Sequence, residues 1–333
     1  MNENDIIENK KPETILKIET KFKDPYIICL NDGRLSICSS NEDAQIFKKR
    51  TYEVDITLKG VFSEYQVQLQ NDYILFYCYD HIKIVILYDN KEYDIQKVVS
   101  TKKGIIFEYI VPLKNDQFMT SFKYYRIIKI WDIDEDFDRY LCKLTLDLKF
   151  NLYSHIIYID ENDEFGAVCG VNGVDFATFR FFKIEDDKIK ETSVCNLLVK
   201  KSGFYSYLYK VGKFIKVISW QYYHAKIFFI DFNEHTLAYT FEFSHSKLSS
   251  DVTRKVNEIN LSDKVFLYSV NLSNNFVQYK FENNSIKIIA ENTVDITRND
   301  ISYNILKLDN GLVLIYKKCG CLFFLRFFNI TND

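Results

Sequence analysis

The sequence predicts an all-β fold, a seven-bladed β-propeller of four-stranded antiparallel blades. Three observations carry this. Aromatic residues make up 16% of 333 residues, with 28 Phe and 24 Tyr, while Gly (10) and Pro (3) are scarce; strands favour aromatic and β-branched side chains. Apolar and polar residues alternate at period 2, as in Asp80-His-Ile-Lys-Ile-Val-Ile-Leu87 and Tyr124-Tyr-Arg-Ile-Ile-Lys-Ile-Trp131, which is strand spacing. One phrase also recurs along the chain at a nearly constant step, the signature of a repeat fold. Phe, Tyr, Ile, Asn and Lys are together what an AT-rich genome encodes, so Lys-rich and Asn-rich stretches carry little weight alone.

The recurring phrase is an apolar stretch, a short turn with Asn, Asp or Gly, and a second apolar stretch. It spans Ile28 to Leu35, Val67 to Ile74, Val111 to Phe118 and Ile157 to Phe165. Weaker copies span Leu208 to Phe214 and Ile259 to Val265, and the last spans Leu306 to Leu312. About 10 to 15 residues after each copy comes a strand ending on a large apolar or aromatic residue, anchored at Phe47, Leu87, Trp131, Phe182, Phe229, Tyr279 and Phe327. These anchors are 40 to 51 residues apart, with a mean near 47. A WD-repeat blade takes about 40–45 residues and a kelch blade about 50. A lone four-stranded sheet cannot bury both faces, whereas sheets packed radially cover one another.

The predicted organisation is a polar N-terminal tail at 1–12 and one propeller domain at 13–330, with Glu13 to Thr20 able to pair into the last blade. No linker rich in Gly, Pro or Ser divides the chain. One stretch departs from strand spacing: Leu248, Val252, Val256 and Ile259, within Ser246 to Asn260, form a one-sided helical stripe. It reads either as a short helix or as a solvated loop.

Forty-three Lys plus Arg against 46 Asp plus Glu give a net charge of -3. Such a balance provides no global basic field for nucleic acid or an anionic membrane. Residues Met1 to Lys11 lack an apolar signal-peptide core. The longest uncharged run, Val265 to Tyr279, is 15 residues and contains Asn, Ser and Gln, short of the roughly 20 apolar residues a membrane helix needs. The expected location is cytoplasmic, and the eight Cys are expected as free thiols. The glycosylation-type triplets at Asn260, Asn271, Asn283 and Asn329 read as chance matches in an Asn-rich chain.

Arg126-Ile-Ile-Lys-Ile-Trp-Asp132 resembles the end of a WD repeat, whose third strand closes on Trp-Asp. Leu30 to Phe47 is similar to the second-to-third-strand hairpin of such a blade. The resemblance is sharp in blades one and three. The Gly-His pair that usually opens a blade is absent, and Trp131-Asp132 is the only Trp-Asp dipeptide, so the family's His, Ser/Thr and Asp tetrad is not carried over. The resemblance implies a non-catalytic scaffold that holds other proteins or peptides.

No motif supplies chemistry. Neither G-x-G-x-x-G nor G-x-x-x-x-G-K-[ST] occurs, and Asn172-Gly173 reads as a hairpin turn. Cys319-Gly-Cys321 is the only close Cys pair, and it reads as flanking a turn rather than as a metal or redox pair. The carboxylates from Asp132 to Asp138 have calcium-loop spacing at first, but Phe137 and Lys143 stand where the loop needs Gly and Glu, so the segment reads as an acidic turn. The five His (81, 155, 224, 235 and 245) are dispersed. Basic groups at Lys48-Lys49-Arg50, Lys102-Lys103, Lys200-Lys201 and Lys317-Lys318 form no continuous stripe. No cofactor or metal is expected.

The expected function is a protein-interaction scaffold or complex subunit, with partner contacts at Tyr79, Tyr124, Trp220 and Tyr222, since Tyr and Trp dominate interface hot spots. Two alternatives are an enzyme using the central channel and a propeller that binds phosphoinositide or a membrane surface through basic loops.

Overall fold

A computed structural model describes residues 12–78, 81–99, 107–122, 125–134, 139–148, 151–152, 154, 156–170, 176–200, 205–221, 224–244, 257–260, 265–269, 275–282, 285–293, 303–308, 310–317 and 321–326. The chain divides into two compact units, Tyr26–Phe243 and Met1–Pro25 with Ser244–Asp333. Strand β1 (Glu13–Glu19) belongs to the second.

Among the described residues, the unit Tyr26–Phe243 contains five antiparallel sheets whose strands follow chain order. The first is β2 (Tyr26–Cys29), β3 (Leu35–Cys38), β4 (Ala44–Phe47) and β5 (Val54–Leu58). The second is β6 (Tyr65–Gln68), β7 (Ile74–Cys78), β8 (His81–Leu87) and β9 (Tyr93–Val99). The third is β10 (Phe107–Pro112), β11 (Phe118–Phe122), β12 (Tyr125–Asp134) and β13 (Arg139–Asp147). The fourth holds β14 (Asn151–Leu152), β15 (Ile157–Ile159), β16 (Glu164–Gly170), β17 (Phe176–Glu185) and β18 (Lys188–Lys200). The fifth is β19 (Tyr205–Val211), β20 (Phe214–Gln221), β21 (His224–Asp231) and β22 (Thr236–Ser244).

The fourth sheet corrects the four-strand expectation. Its first strand is broken in two, with Asn151 opposite Gly170 and Ile157 opposite Gly166. Between the pieces, the buried Ser154 hydroxyl accepts the Val168 N–H at 2.9 Å. A side chain thus replaces the missing ladder partner, as a buried backbone N–H requires.

Among the described residues, the second unit contains two sheets. One is β23 (Asn257–Asn260), β24 (Val265–Ser269), β25 (Asn275–Glu282) and β26 (Ser285–Thr293). The other joins β27 (Tyr303–Lys307), β28 (Val313–Lys317) and β29 (Cys321–Arg326) to β1 in the order β1-β29-β28-β27. The N-terminal strand is therefore the edge strand of the C-terminal sheet, with Glu13 opposite Arg326 and Glu19 opposite Cys321. The expected helix is corrected at its C-terminal end: Ile259 sits in β23, opposite Leu267 in an antiparallel ladder. Leu248, Val252 and Val256 lie outside the described residues, as do residues 1–11, most of the expected tail.

The recurring phrase is a first-to-second-strand hairpin in each sheet. Leu30 donates to Arg34 O at 2.8 Å, Leu69 to Tyr73 O at 2.9 Å, Leu113 to Gln117 O at 2.9 Å and Leu308 to Leu312 O at 2.9 Å. Each closed loop ends on a residue at positive φ: Gly33 (84°), Asp72 (67°), Asp116 (60°) and Gly311 (76°). Gly, Asn and Asp tolerate this left-handed region, and a three-residue hairpin loop requires it. The second phrase marks third strands: Phe47, Leu87, Trp131, Phe182, Phe229 and Tyr279 lie on β4, β8, β12, β17, β21 and β25. Phe327 lies outside the described residues.

Within the larger unit, apolar clusters form between consecutive sheets. Ile46, Ile56 and Leu58 of the first pack with Ile74, Phe76 and Val85 of the second. Leu75, Ile82 and Ile84 meet Phe118, Trp131 and Tyr140 of the third. Met119, Ile128 and Ile130 meet Phe165, Ala167 and Phe182 of the fourth, and Phe179 and Phe181 meet Val217, Phe228 and Ile230 of the fifth. Lateral burial between sheets is the main stabilising term, at about 25 cal/mol per Å² of apolar surface. Trp131 stacks on Phe118 at 5.9 Å and donates its indole N–H to Thr120 Oγ1 at 3.0 Å. The Trp131 side chain is thereby tied to the second strand of its own sheet.

Candidate functional site

The first strands of the second, third and fourth sheets are neighbours, β6 beside β10 and β10 beside β15. Each is hydrogen-bonded to its own sheet on one side only. Pro112 fits this setting, because an edge strand tolerates a residue without an N–H. Around these strands opens a cleft of about 460 Å³, a size typical of ligand pockets. Its apolar wall comes from Leu69, Ile110 to Leu113, Ile156 and Ile157, its rings from Tyr65 and Tyr158, and its polar groups from Asn31, Gln68, Gln70 and Asp160.

The hairpin turns shape this cleft by bonding to one another. Asn31 N donates to Gln68 Oε1 at 2.7 Å, and Asn31 Nδ2 to Asp72 Oδ1 at 2.8 Å. One turn further, Asn71 N donates to Asp116 Oδ1 at 2.6 Å, while Tyr140 OH donates to Asp116 O at 2.8 Å. Burial pushes the Tyr140 phenol up to about 12, keeping it a donor. On the far side, Lys210 bridges Asp160 and Glu161, each at 2.6 Å. Its hydrogen bond holds the Asp160 carboxyl below the usual carboxylate range. Tyr158 OH donates to Asp163 Oδ1 at 2.6 Å, and burial together with that bond raises its phenol pKa.

Of the expected anchors, Trp220 is described and does not line the cleft. Trp220 lies on β20, opposite Tyr205 and Ala225. Tyr79, Tyr124 and Tyr222 lie outside the described residues. Sequence reading missed the cleft because its lining comes from four sheets; the signal that could have found it was the Asn and Asp repeated at the first turn of each phrase.

One His–carboxylate pair is present among the described residues. His235 Nε2 is 2.7 Å from Glu164 Oε2, and Thr192 donates to Glu164 Oε1 at 2.9 Å. The His235 ring stacks on Phe181 at 4.3 Å. Glu164 is 2% exposed, and neither residue of the pair lines the cleft. The pair docks the β21–β22 turn onto the fourth sheet. Among the described residues, no group of three or more His, Cys, Asp or Glu could hold a metal ion. Asp132, from the acidic run, accepts from Gln117 at 2.9 Å and pairs with Lys143 at 2.7 Å; residues 135–138 lie outside the described residues. Cys29, Cys38, Cys78, Cys142, Cys169 and Cys195 are free thiols. Among the described residues, no helix is long and apolar enough to cross a membrane.

No protein-family model matches the chain, and no curated protein matches it. Solved structures do match its fold. The β-propeller domain of Cps50 (Swd1) from Myceliophteria thermophila has a TM-score of 0.66 at 13% identity, covering 95% of this chain and 99% of that one. The WD40 β-propeller domain of Doa1 has a TM-score of 0.60 at 13% identity, covering 94% and 96%. A virginiamycin B lyase from Staphylococcus aureus has a TM-score of 0.64 at 12% identity, covering 94% and 98%. Likeness at these identities speaks to fold alone, and it spans WD40 domains and an enzyme. The chain has the fold of a β-propeller built from antiparallel blades.

Proposed function

We propose that this chain is a non-catalytic interaction scaffold, a seven-bladed propeller that holds a segment of another protein. The five sheets of one unit and two of the other support the blade count. The observation that carries the function is the cleft between first strands, which combines apolar residues, two tyrosines and amide groups. Tyr79, Tyr124, Trp220 and Tyr222 are the residues proposed to contact the partner. The test is affinity capture with the full chain from its native cell, repeated with Tyr124→Ala/Tyr222→Ala. Weaker capture at an unchanged melting temperature supports the tyrosine surface, and loss of folding assigns them to the core.

The channel enzyme is favoured only by the fold likeness to a lyase, and a membrane-surface role by no grouping of described lysines. Lys48 is paired with Glu53 at 3.1 Å, and Lys49 donates to Asp32 O at 3.3 Å.

A further inference from the structure

We infer that Cys38 and Cys78 form an oxidative modification site, a thiol pair that peroxide joins into a disulfide stapling the first sheet to the second. This goes beyond the scaffold reading and does not rest on it. Cys38 ends β3 opposite Tyr26, and Cys78 ends β7 opposite His81. Both thiols belong to the apolar cluster between these two sheets, Cys38 fully buried and Cys78 half-buried against it. One serine ties their chain neighbours together. Ser63 N donates to Ser39 O at 2.9 Å, and the Ser63 hydroxyl bonds to Tyr77 O at 2.5 Å. Ser39 follows Cys38, and Tyr77 precedes Cys78. The Ser63 hydroxyl also hydrogen-bonds the Cys38 thiol. On the adjoining first strands, the rings of Tyr26 and Tyr65 meet at 4.6 Å. The ends of β3 and β7 are thus held at one point of the interface. By contrast, the clusters that hold Cys169 and Cys195 each contain a single cysteine among the described residues.

The two thiols differ in access, and that orders the chemistry. Burial pushes the Cys38 thiol strongly up, the Ser63 hydrogen bond opposes this, and Cys78, near enough to act through its charge, adds to the rise. Cys38 therefore does not meet a dissolved oxidant as a thiolate. Cys78 is the partly accessible member, so it reacts first. Its sulfur takes one oxygen from hydrogen peroxide, the O–O bond breaks, and the second oxygen leaves as water. The product is a sulfenic acid. The Cys38 sulfur then attacks the Cys78 sulfur. The S–S bond forms as the S–O bond breaks, and the departing hydroxide takes the Cys38 proton as a second water. The pair gives up two electrons and two protons in all, and the peroxide becomes two waters. A low-molecular-weight thiol reverses the link by exchange.

Peptide mapping of the full chain tests this. The native chain is treated with hydrogen peroxide, quenched, unfolded in maleimide, digested and weighed. The expected product is a Cys38–Cys78 peptide pair, two hydrogens lighter than its separate halves, that falls apart on reduction. Cys38 is expected to lose its maleimide label while Cys169 keeps it. In Cys78→Ser, a change at a half-buried position, Cys38 is expected to stay labelled after peroxide. In Cys38→Ala, dimedone is expected to trap the sulfenic acid on Cys78. Oxidation of Cys78 in the wild-type chain without a link to Cys38 overturns the inference. So do a link from Cys38 to any other cysteine and a Cys38 label that peroxide leaves unchanged. The wild-type map decides between these outcomes even if Cys38→Ala fails to fold.

Discussion

Single residues carry polar links that hydrophobic pattern does not reveal. Glu164 is a buried carboxylate whose two oxygens are each taken, by Thr192 and His235. Its truncation strands both partners, so Glu164→Ala is expected to cost about 2–3 kcal/mol in urea unfolding, and a double-mutant cycle with His235→Ala to be non-additive. Nothing in the local sequence foretells this pair, because 71 residues separate its members. The Trp131 link to Thr120 was half legible: Trp131-Asp132 marks a third strand, but the partner across the ladder does not appear in the motif. The thiols divide by burial. Desolvation raises the pKa of Cys38 and Cys169 strongly, while Cys142 is exposed. Maleimide is therefore expected to label Cys142 in the native chain and Cys38 and Cys169 only after unfolding, since reactivity needs an accessible thiolate.

At the scale of the element, the hairpins were the most legible feature, because their turn chemistry is local. Leu-Asn-Asp-Gly at 30–33 and Leu-Gln-Asn-Asp at 69–72 spell loops that end at positive φ. Gly33→Val is expected to cost about 1–3 kcal/mol through backbone strain, whereas Gly33→Asn costs little; thermal unfolding of both separates the conformational effect from loss of space. The broken first strand of the fourth sheet was not legible, since Ser154 replaces a ladder bond from within what reads as a continuous phrase. The Lys210 bridge makes its own prediction. Because the folded Asp160 pKa is depressed, the bridge's contribution is present above the unfolded carboxylate value of about 3.9 and is lost as pH falls through the folded one. Both side chains are partly exposed, so the contribution is at most about 1 kcal/mol. Melting temperatures of wild type and Lys210→Met should differ at pH 7 and converge as pH falls below the usual carboxylate range.

Over the whole molecule, the spacing of large third-strand residues carries the blade period, because a repeat that cannot bury its faces alone must be spelled out many times. Spacing could not convey which turns touch, since those bonds join residues tens of positions apart, such as Asn31 to Asp72. The pairing of β1 with β29 ties the two ends of the described chain into one sheet. Removing residues 1–20 bares the β29 edge, so the shortened chain is expected to melt lower and to aggregate at concentrations where the full chain does not. The central claim is that the propeller holds its partner without transforming it. The most direct test mixes the full chain with a captured partner, isolates the complex by size exclusion and weighs both components by intact mass spectrometry before and after. The account predicts a stable complex with both masses unchanged; a changed partner mass, or no complex, would contradict it.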